Sequence, residues 1–120
     1  MLTLPIKKKW FDMILLGEKK EEYQEIKPYW DTRFETWLGI PKGEMDFFFW
    51  EVLKDDKIPM PVLPILFRNG YSKESPSFIA KCMLSIGTGK EEWEAEKDKQ
   101  YFVLKVHEIL ERKEKDVCSE

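Results

Sequence analysis

The second half of the chain contains a segment of period two that restricts the possible folds more than any other feature. Over residues 78–86 every second side chain is apolar, and the four positions between them are two apolar residues, one lysine and one serine. The apolar positions that recur with this period are Phe78, Ala80, Cys82, Leu84 and Ile86. Because successive side chains of a β-strand point to opposite faces, this pattern predicts a strand with one face buried in a hydrophobic core.

Other segments also have the composition or alternation of strands. Residues 101–110 place Phe102, Leu104 and Val106 on one face, and we expect this segment to be the last strand. The remaining predicted strands cover residues 2–6, 19–26, 63–68 and 91–96. A turn at residues 87–89 and another at residues 98–99 would separate the last three strands.

Two short helices are predicted in the first third of the chain. Residues 8–16 repeat apolar side chains at four-residue spacing, and Gly17 follows where a C-terminal glycine commonly ends a helix. A second helix is predicted from Asp31, acting as its N-cap, to Leu38, with Gly39 ending it.

At two places the secondary structure is not predicted from hydrophobic periodicity. Pro28 is expected to end the strand before it, because the residue preceding a proline is disfavoured in helical conformation. The run Phe-Phe-Phe-Trp at residues 47–50 fits either a buried strand or part of a helix, and periodicity alone does not decide between them.

The order of these elements predicts the fold class. A β, α, β, α arrangement followed by several strands indicates an α+β domain, built as a small β-barrel with two or more short helices. We expect about five to six strands in it, mostly antiparallel. Residues 1–110 would form this domain, and residues 111–120 a charged C-terminal tail.

Composition narrows the function classes. An aromatic content of 14% argues against disorder, and a net charge of -3 disfavours strong sequence-independent binding to duplex nucleic acid. Cys82 and Cys118 lack metal-binding spacing, and His107 is the one histidine, so we expect no metal and no cofactor. We find neither a signal peptide nor a segment of transmembrane length, and we expect a cytoplasmic protein that does not enter a membrane.

The segment after the first predicted helix, residues 17–24, has the sequence GEKKEEYQ. It resembles the signature G-x-K-x-x-E-x-R of the ASCH domain family, with Gly17, Lys19 and Glu22 at three defining positions and Gln24 in place of the arginine. Four further segments resemble a phage and bacterial branch of that family. They are YQEIKPYW at residues 23–30, FRNGY at 67–71, PSFIA at 76–80 and YFVLK at 101–105.

This resemblance implies a fold and a function. ASCH domains share the PUA-like barrel, and the implied function is recognition of RNA or a modified nucleotide in a cleft beside the barrel. Some members are amidohydrolases that act on acylated cytidine, and ribonuclease activity is ascribed to others. The resemblance therefore leaves a hydrolase using Lys19 and Glu22 as the alternative, although the cytidine-deacylating members carry threonine at the position of Glu22.

Each motif position has a possible chemical role. Gly17 would end the helix, and Lys19 would meet a phosphate or act catalytically if burial or the neighbouring Lys20 lowered its pKa. Glu22 could accept a hydrogen bond from a base amino group or act as a general acid or base. Gln24 can pair with a base edge, but it lacks the charge and planar fork of arginine.

These side chains must converge if they form one site. Glu22 and Gln24 are two residues apart and share a strand face, whereas Lys19 belongs to the opposite face. We therefore predict that the strand begins after Lys19 or contains a bulge.

Four further residues are candidates for the ligand site. Tyr29 could stack on a base, and Arg68, Asn69 and Tyr71 cluster near a predicted turn, where Arg68 could supply the charge that Gln24 lacks. Each also has a purely structural interpretation, as a surface, turn or core residue. A third function class, a small interaction protein whose aromatic residues all belong to the core, therefore stays open beside the binding protein and the hydrolase.

Overall fold

The computed structural model describes residues 1–45, 49–55 and 57–113. We number the strands and α-helices in chain order. The strands are β1 (Leu2–Ile6), β2 (Glu21–Glu25), β3 (Leu63–Asn69), β4 (Ser77–Thr88) and β5 (Gln100–Lys113). The helices are α1 (Lys8–Leu15), α2 (Pro28–Leu38) and α3 (Trp50–Lys54), and a short 3-10 helix covers Glu91–Trp93.

The five strands form one mixed sheet in the order β1-β3-β4-β5-β2. β1 pairs with β3 in parallel, and the other three pairings are antiparallel. The sheet curls into a half-barrel, with β1 and β2 as its two edges. The α+β class and the small barrel with short helices, which the sequence predicted, are confirmed.

The alternating segment behaves as predicted. All five of its recurring apolar positions face the core, and each is at most 7% exposed. β4 is longer than predicted, because Gly87 and Thr88 still pair with Tyr101 and Gln100 of β5. The predicted turn at residues 87–89 is therefore wrong for its first two residues.

The predicted returning strand at residues 91–96 is also wrong. Glu91–Trp93 forms a 3-10 helix, and Glu94 follows in the left-handed conformation with φ of 69°. Trp93 is buried in the main core. The physical reason is that Trp93 is the one large apolar side chain among glutamates in this segment, whereas a half-buried strand needs apolar side chains at alternate positions.

The last strand runs further than expected, since β5 continues to Lys113. Ile79 of β4 pairs with Glu111, and Phe78 pairs with Arg112. Residues that the sequence assigned to a charged tail therefore extend a β-ladder, and residues 114–120, with Cys118, lie outside the described residues.

Helix α1 ends at the C-terminal cap that Gly17 indicated in the sequence. Gly17 has φ of 79°, its N–H donates to the carbonyl of Ile14 at 3.1 Å, and the N–H of Glu18 donates to Met13 at 2.9 Å. These two bonds are the pattern of a Schellman C-cap. The cap fixes the direction in which the chain leaves α1 toward β2.

Helix α2 begins earlier than predicted. Its first residue is Pro28 and its N-cap is Lys27, so Asp31 lies inside the first turn and is not the cap. A proline is tolerated at the first helical position because the missing N–H would have no partner in the helix. Asp31 in the first turn places a negative charge near the positive end of the helix dipole.

The aromatic run at residues 47–50 is described only in part. Trp50 begins α3, and Phe47 and Phe48 lie outside the described residues. Among the helices that the structure describes, none is long and apolar enough to cross a membrane.

Candidate functional site

A cleft of about 550 Å³ lies between the two edge strands of the half-barrel. This volume falls within the range of small-molecule sites. Strand β1 contributes Ile6, β2 contributes Glu22 and Gln24, and β3 contributes Asn69. Further walls come from the start of α1, the loop after β3 and the segment around the 3-10 helix. The side chains from these parts include Lys7, Lys8, Trp10, Tyr71, Trp93 and Glu94.

A buried ion pair forms the base of one wall. The Nζ of Lys19 donates to Oε1 of Glu22 at 2.6 Å and also to the main-chain carbonyl of Glu21. The Lys19 side chain is 1% exposed and that of Glu22 is 12% exposed. The ammonium is therefore sealed behind the cleft, whereas the carboxylate borders it.

The helix cap explains why Lys19 occupies this position. The N–H of Lys19 donates to the carbonyl of Met13 at 3.1 Å, and the pairing of β2 begins only at Glu21. Lys19 thus precedes the strand, which is the first of the two alternatives that the sequence left open, and its side chain can reach the face of Glu22. Because Glu22 lies opposite Leu104 and Gln24 opposite Phe102, both face the interior of the half-barrel.

Three aromatic rings surround the ammonium of Lys19. Its Nζ lies 5.2 Å from the ring centroid of Trp10 and 5.7 Å from those of Tyr23 and Trp93. These distances are within the range of cation–π attraction, which is strongest for a desolvated cation. The rings therefore offset part of the cost of removing the lysine charge from water.

The burial of this pair changes the acidity of both groups. Burial lowers the pKa of Lys19 below its ordinary value of 10.5, and it raises the pKa of Glu22 above 4.5. In each case the attraction of the partner opposes the effect of burial. The carboxylates of Glu21 and Glu94 also act on Lys19 by attraction, so burial, and not a neighbouring Lys20, lowers the pKa of Lys19.

A second carboxylate bridges two walls of the cleft. The Trp10 indole N–H donates to Oε1 of Glu94 at 3.0 Å, and the Lys7 ammonium lies 3.5 Å from Oε2. Glu94 has a positive φ, which is uncommon for a residue other than glycine. These contacts join the segment around the 3-10 helix to the start of α1.

The same segment is attached to the outer face of β2. The Tyr23 hydroxyl donates to Oε1 of Glu21 at 2.6 Å and accepts the N–H of Lys90 at 3.0 Å. Gly89 packs against this tyrosine so closely that an added Cβ would lie 2.8 Å from Cζ of Tyr23 and 2.6 Å from Cβ of Ala95. The position of Trp93 and Glu94 in the cleft therefore depends on Gly89.

The structure brings together several of the residues that the sequence singled out. Glu22, Gln24, Asn69 and Tyr71 line the cleft, and Lys19 lies behind it, in contact with Glu22. Asn69 is the last residue of β3, and Tyr71 lies in the loop that follows.

Three other candidates lie outside the cleft lining. Gly17 ends α1, as described above. Tyr29 is exposed on α2, where the guanidinium of Arg33 covers its ring at 3.5 Å. Arg68 lies on β3 between Phe67 and Asn69, and because strand side chains alternate, it points to the opposite face from the cleft residue Asn69.

Sequence reasoning did not assign Trp10, Trp93 or Glu94 to the site. Trp10 was assigned only to the helix stripe, and Trp93 only to a strand that does not form. One available signal was the large number of tryptophans for a short chain, because tryptophan combines an apolar ring with a hydrogen-bond donor.

Among the residues that the structure describes, no group of three or more His, Cys, Asp or Glu side chains could hold a metal ion. The cleft offers instead two carboxylates, those of Glu22 and Glu94, together with two amides and several aromatic rings. These groups can bind a planar ligand that carries hydrogen-bond donors and acceptors.

Comparisons with protein-family models, with curated proteins and with solved structures give no match for this chain. The class of this protein therefore follows from its fold and its cleft alone. It is an α+β half-barrel protein with a ligand-sized cleft where the barrel does not close.

Proposed function

We propose that this protein binds RNA or a modified nucleotide and holds one base in the cleft beside the half-barrel. The observation that carries the proposal is the position of Glu22, whose carboxylate borders the cleft while Lys19 holds one of its oxygens at 2.6 Å. A carboxylate has about four acceptor positions, so it can still accept from the amino group of a base.

The other groups of the cleft support the same ligand class. The amides of Gln24 and Asn69 can each donate and accept, which suits the mixed donor and acceptor edge of a base. The rings of Trp10 and Trp93 provide apolar surface for the base and the sugar. The resemblance of residues 17–24 to the ASCH signature is independent support for this ligand class.

Tryptophan fluorescence tests the proposal, because Trp10 and Trp93 both line the cleft. A panel of unmodified and modified nucleosides and short single-stranded RNAs would be titrated against the wild type, Glu22→Gln and Glu25→Gln. Glu25 is a matched control, since it lies on the same strand but is exposed. We expect Glu22→Gln to weaken binding about tenfold or more, because it removes a charge-assisted hydrogen bond.

The Glu25→Gln variant should bind like the wild type. Equal affinity of the Glu22→Gln variant and the wild type would contradict the proposed role of Glu22. Absence of binding by every ligand of the panel would contradict the proposal as a whole.

Hydrolysis is a second candidate function, and one observation favours it. Lys19 and Glu22 are in contact, and the pKa of the lysine is lowered whereas that of the glutamate is raised. Such pairs serve in acid–base catalysis. Because Lys19 is sealed behind the cleft, Glu22 would exchange the proton with the substrate, and Lys19 would hold the Glu22 carboxylate in position.

The candidate substrates are an acylated cytidine-type nucleoside and RNA. Each would be incubated with the wild type, Glu22→Gln and Glu25→Gln, and product would be followed by chromatography. We expect product with the wild type and Glu25→Gln only. Product formation at the wild-type rate by Glu22→Gln would exclude the assignment of Glu22.

A further inference from the structure

Tyr71 has an unusual position at the rim of the cleft. Tyr71 belongs to the cleft lining, yet the residue is 88% exposed. A ring that only closed the cleft would be covered on one side by its neighbours. Most of the Tyr71 ring is therefore available to something that lies outside the cleft.

Hydrogen bonds at the base of the loop hold its conformation. The N–H of Asn69 donates to the carbonyl of Pro76 at 2.9 Å, and the N–H of Ser75 donates to that of Ser72 at 3.1 Å. Gly70 has φ of 107°, a conformation that side-chain-bearing residues rarely adopt. The loop thus presents Tyr71 from a defined backbone and does not depend on packing of its ring.

Two lysines line the same cleft as this tyrosine. β1 and β3 run in parallel with Ile6 opposite Asn69, so the chain leaves both strands at the same end of the sheet. Lys7 follows Ile6 directly, and Lys8 begins α1; both line the cleft and are exposed. The cleft therefore has two cationic side chains and an exposed aromatic ring at the same end of the sheet.

These lysines can exchange partners at little cost. Lys7 lies 3.5 Å from Glu94 and Lys8 lies 2.6 Å from Asp12, and each of the four side chains is at least 46% exposed. Exposed ion pairs contribute little net free energy, because water and salt compete for both charges. A phosphodiester at the cleft mouth could therefore replace Glu94 or Asp12 as the partner.

From this arrangement we infer that the ligand of the cleft is a single-stranded oligonucleotide of at least two nucleotides. One base enters the cleft, Lys7 or Lys8 meets the linking phosphate, and the neighbouring base stacks on Tyr71. This inference rests on the proposed function and specifies its ligand class. A free nucleoside would leave Tyr71 and both lysines without a role.

The test compares a nucleoside with trinucleotides of the same base, in ribose and deoxyribose form, against the wild type, Tyr71→Ala and Tyr71→Phe. We expect the trinucleotide to bind the wild type about tenfold more tightly than the nucleoside, because base–aromatic stacking has this magnitude. Tyr71→Ala should lose this gain and keep the nucleoside affinity, and Tyr71→Phe should retain both. The ribose and deoxyribose forms show whether the strand is RNA or DNA.

Three results would overturn the inference. Trinucleotides that bind no more tightly than the nucleoside would overturn this inference but leave the proposed function intact. So would a Tyr71→Ala variant that weakens nucleoside and trinucleotide equally. Absence of binding by nucleoside and trinucleotide together would overturn the proposed function as well.

Discussion

Strand β2 carries two glutamates, Glu22 and Glu25, each paired with a lysine in a different environment. Glu22, on its inner face, contacts Lys19 at 2.6 Å, and the two side chains are 12% and 1% exposed. Glu25, on its outer face, contacts Lys99 at 3.0 Å, and the two side chains are 56% and 36% exposed. The comparison therefore separates the effect of burial from the effect of having an oppositely charged partner.

The two pairs shift acidity in opposite directions. The hydrogen bond with Lys99 lowers the pKa of Glu25, and the hydrogen bonds with Glu25 and Glu96 raise that of Lys99. Burial raises the pKa of Glu22 and lowers that of Lys19, although their partners attract them. Loss of hydration therefore dominates at the cleft, and such perturbed groups are typical of functional sites.

The largest expected effect is on stability when the buried pair is broken. Lys19→Met should lower the free energy of unfolding by about 3–5 kcal/mol, because it leaves the Glu22 carboxylate without its partner in a poorly hydrated position. The matched variant Lys99→Met should lower the urea midpoint much less, because solvent screens an exposed pair. Urea denaturation of both variants at pH 7 measures the difference, and equal midpoints would show that the two pairs do not differ as described.

A smaller effect is expected at the segment that joins the outer face of β2 to the cleft. Gly89→Ala should lower stability by about 1–3 kcal/mol, because the new methyl group would overlap Tyr23 and Ala95. It should also weaken ligand binding by displacing Trp93. Gly87→Ala is the control, since its added Cβ meets nothing within 4 Å. If Gly89→Ala unfolded at the same temperature as Gly87→Ala, the segment would not be packed as described.

The smallest expected effect is an opposite pH dependence of the two glutamates. A raised pKa in the folded state means that the contribution of Glu22 to stability is full below pH 4.5 and falls as pH rises through the raised pKa. The contribution of Glu25 is full above pH 4.5 and falls as pH decreases through the lowered pKa. The stability difference between wild type and Glu22→Gln should therefore decrease with rising pH, and that for Glu25→Gln should increase.

Denaturation series between pH 3 and pH 8 would measure both differences. Slopes of the same sign would contradict the distinction between the buried and the exposed pair. The slope for Glu25→Gln should be the shallower one, because solvent screens an exposed pair.

The parts of the fold that depend on residues close together in the sequence could be predicted. The alternation of β4 and the glycine after α1 are local signals, and both predicted their elements. The requirement that Lys19 and Glu22 converge left two alternatives, a strand that starts after Lys19 or a bulge, and the structure has the first, with both side chains in contact.

The parts that depend on distant residues could not be predicted in this way. The bond between Trp10 and Glu94 joins residues 84 positions apart, and Gly89 is constrained by Tyr23 across the sheet. Such contacts leave no periodic pattern in the sequence, because each depends on the packing of the whole domain. The 3-10 helix that places Trp93 in the core was therefore assigned to a strand.

A site-resolved titration of the two carboxyl groups tests most directly whether Glu22 is a buried carboxylate at the cleft. Carbon-13 NMR of the Glu22 and Glu25 side-chain carboxyls would be followed in one sample as pH changes. We predict a midpoint above 4.5 for Glu22 and below 4.5 for Glu25. A Glu22 midpoint equal to or below that of Glu25 would contradict the account of the cleft.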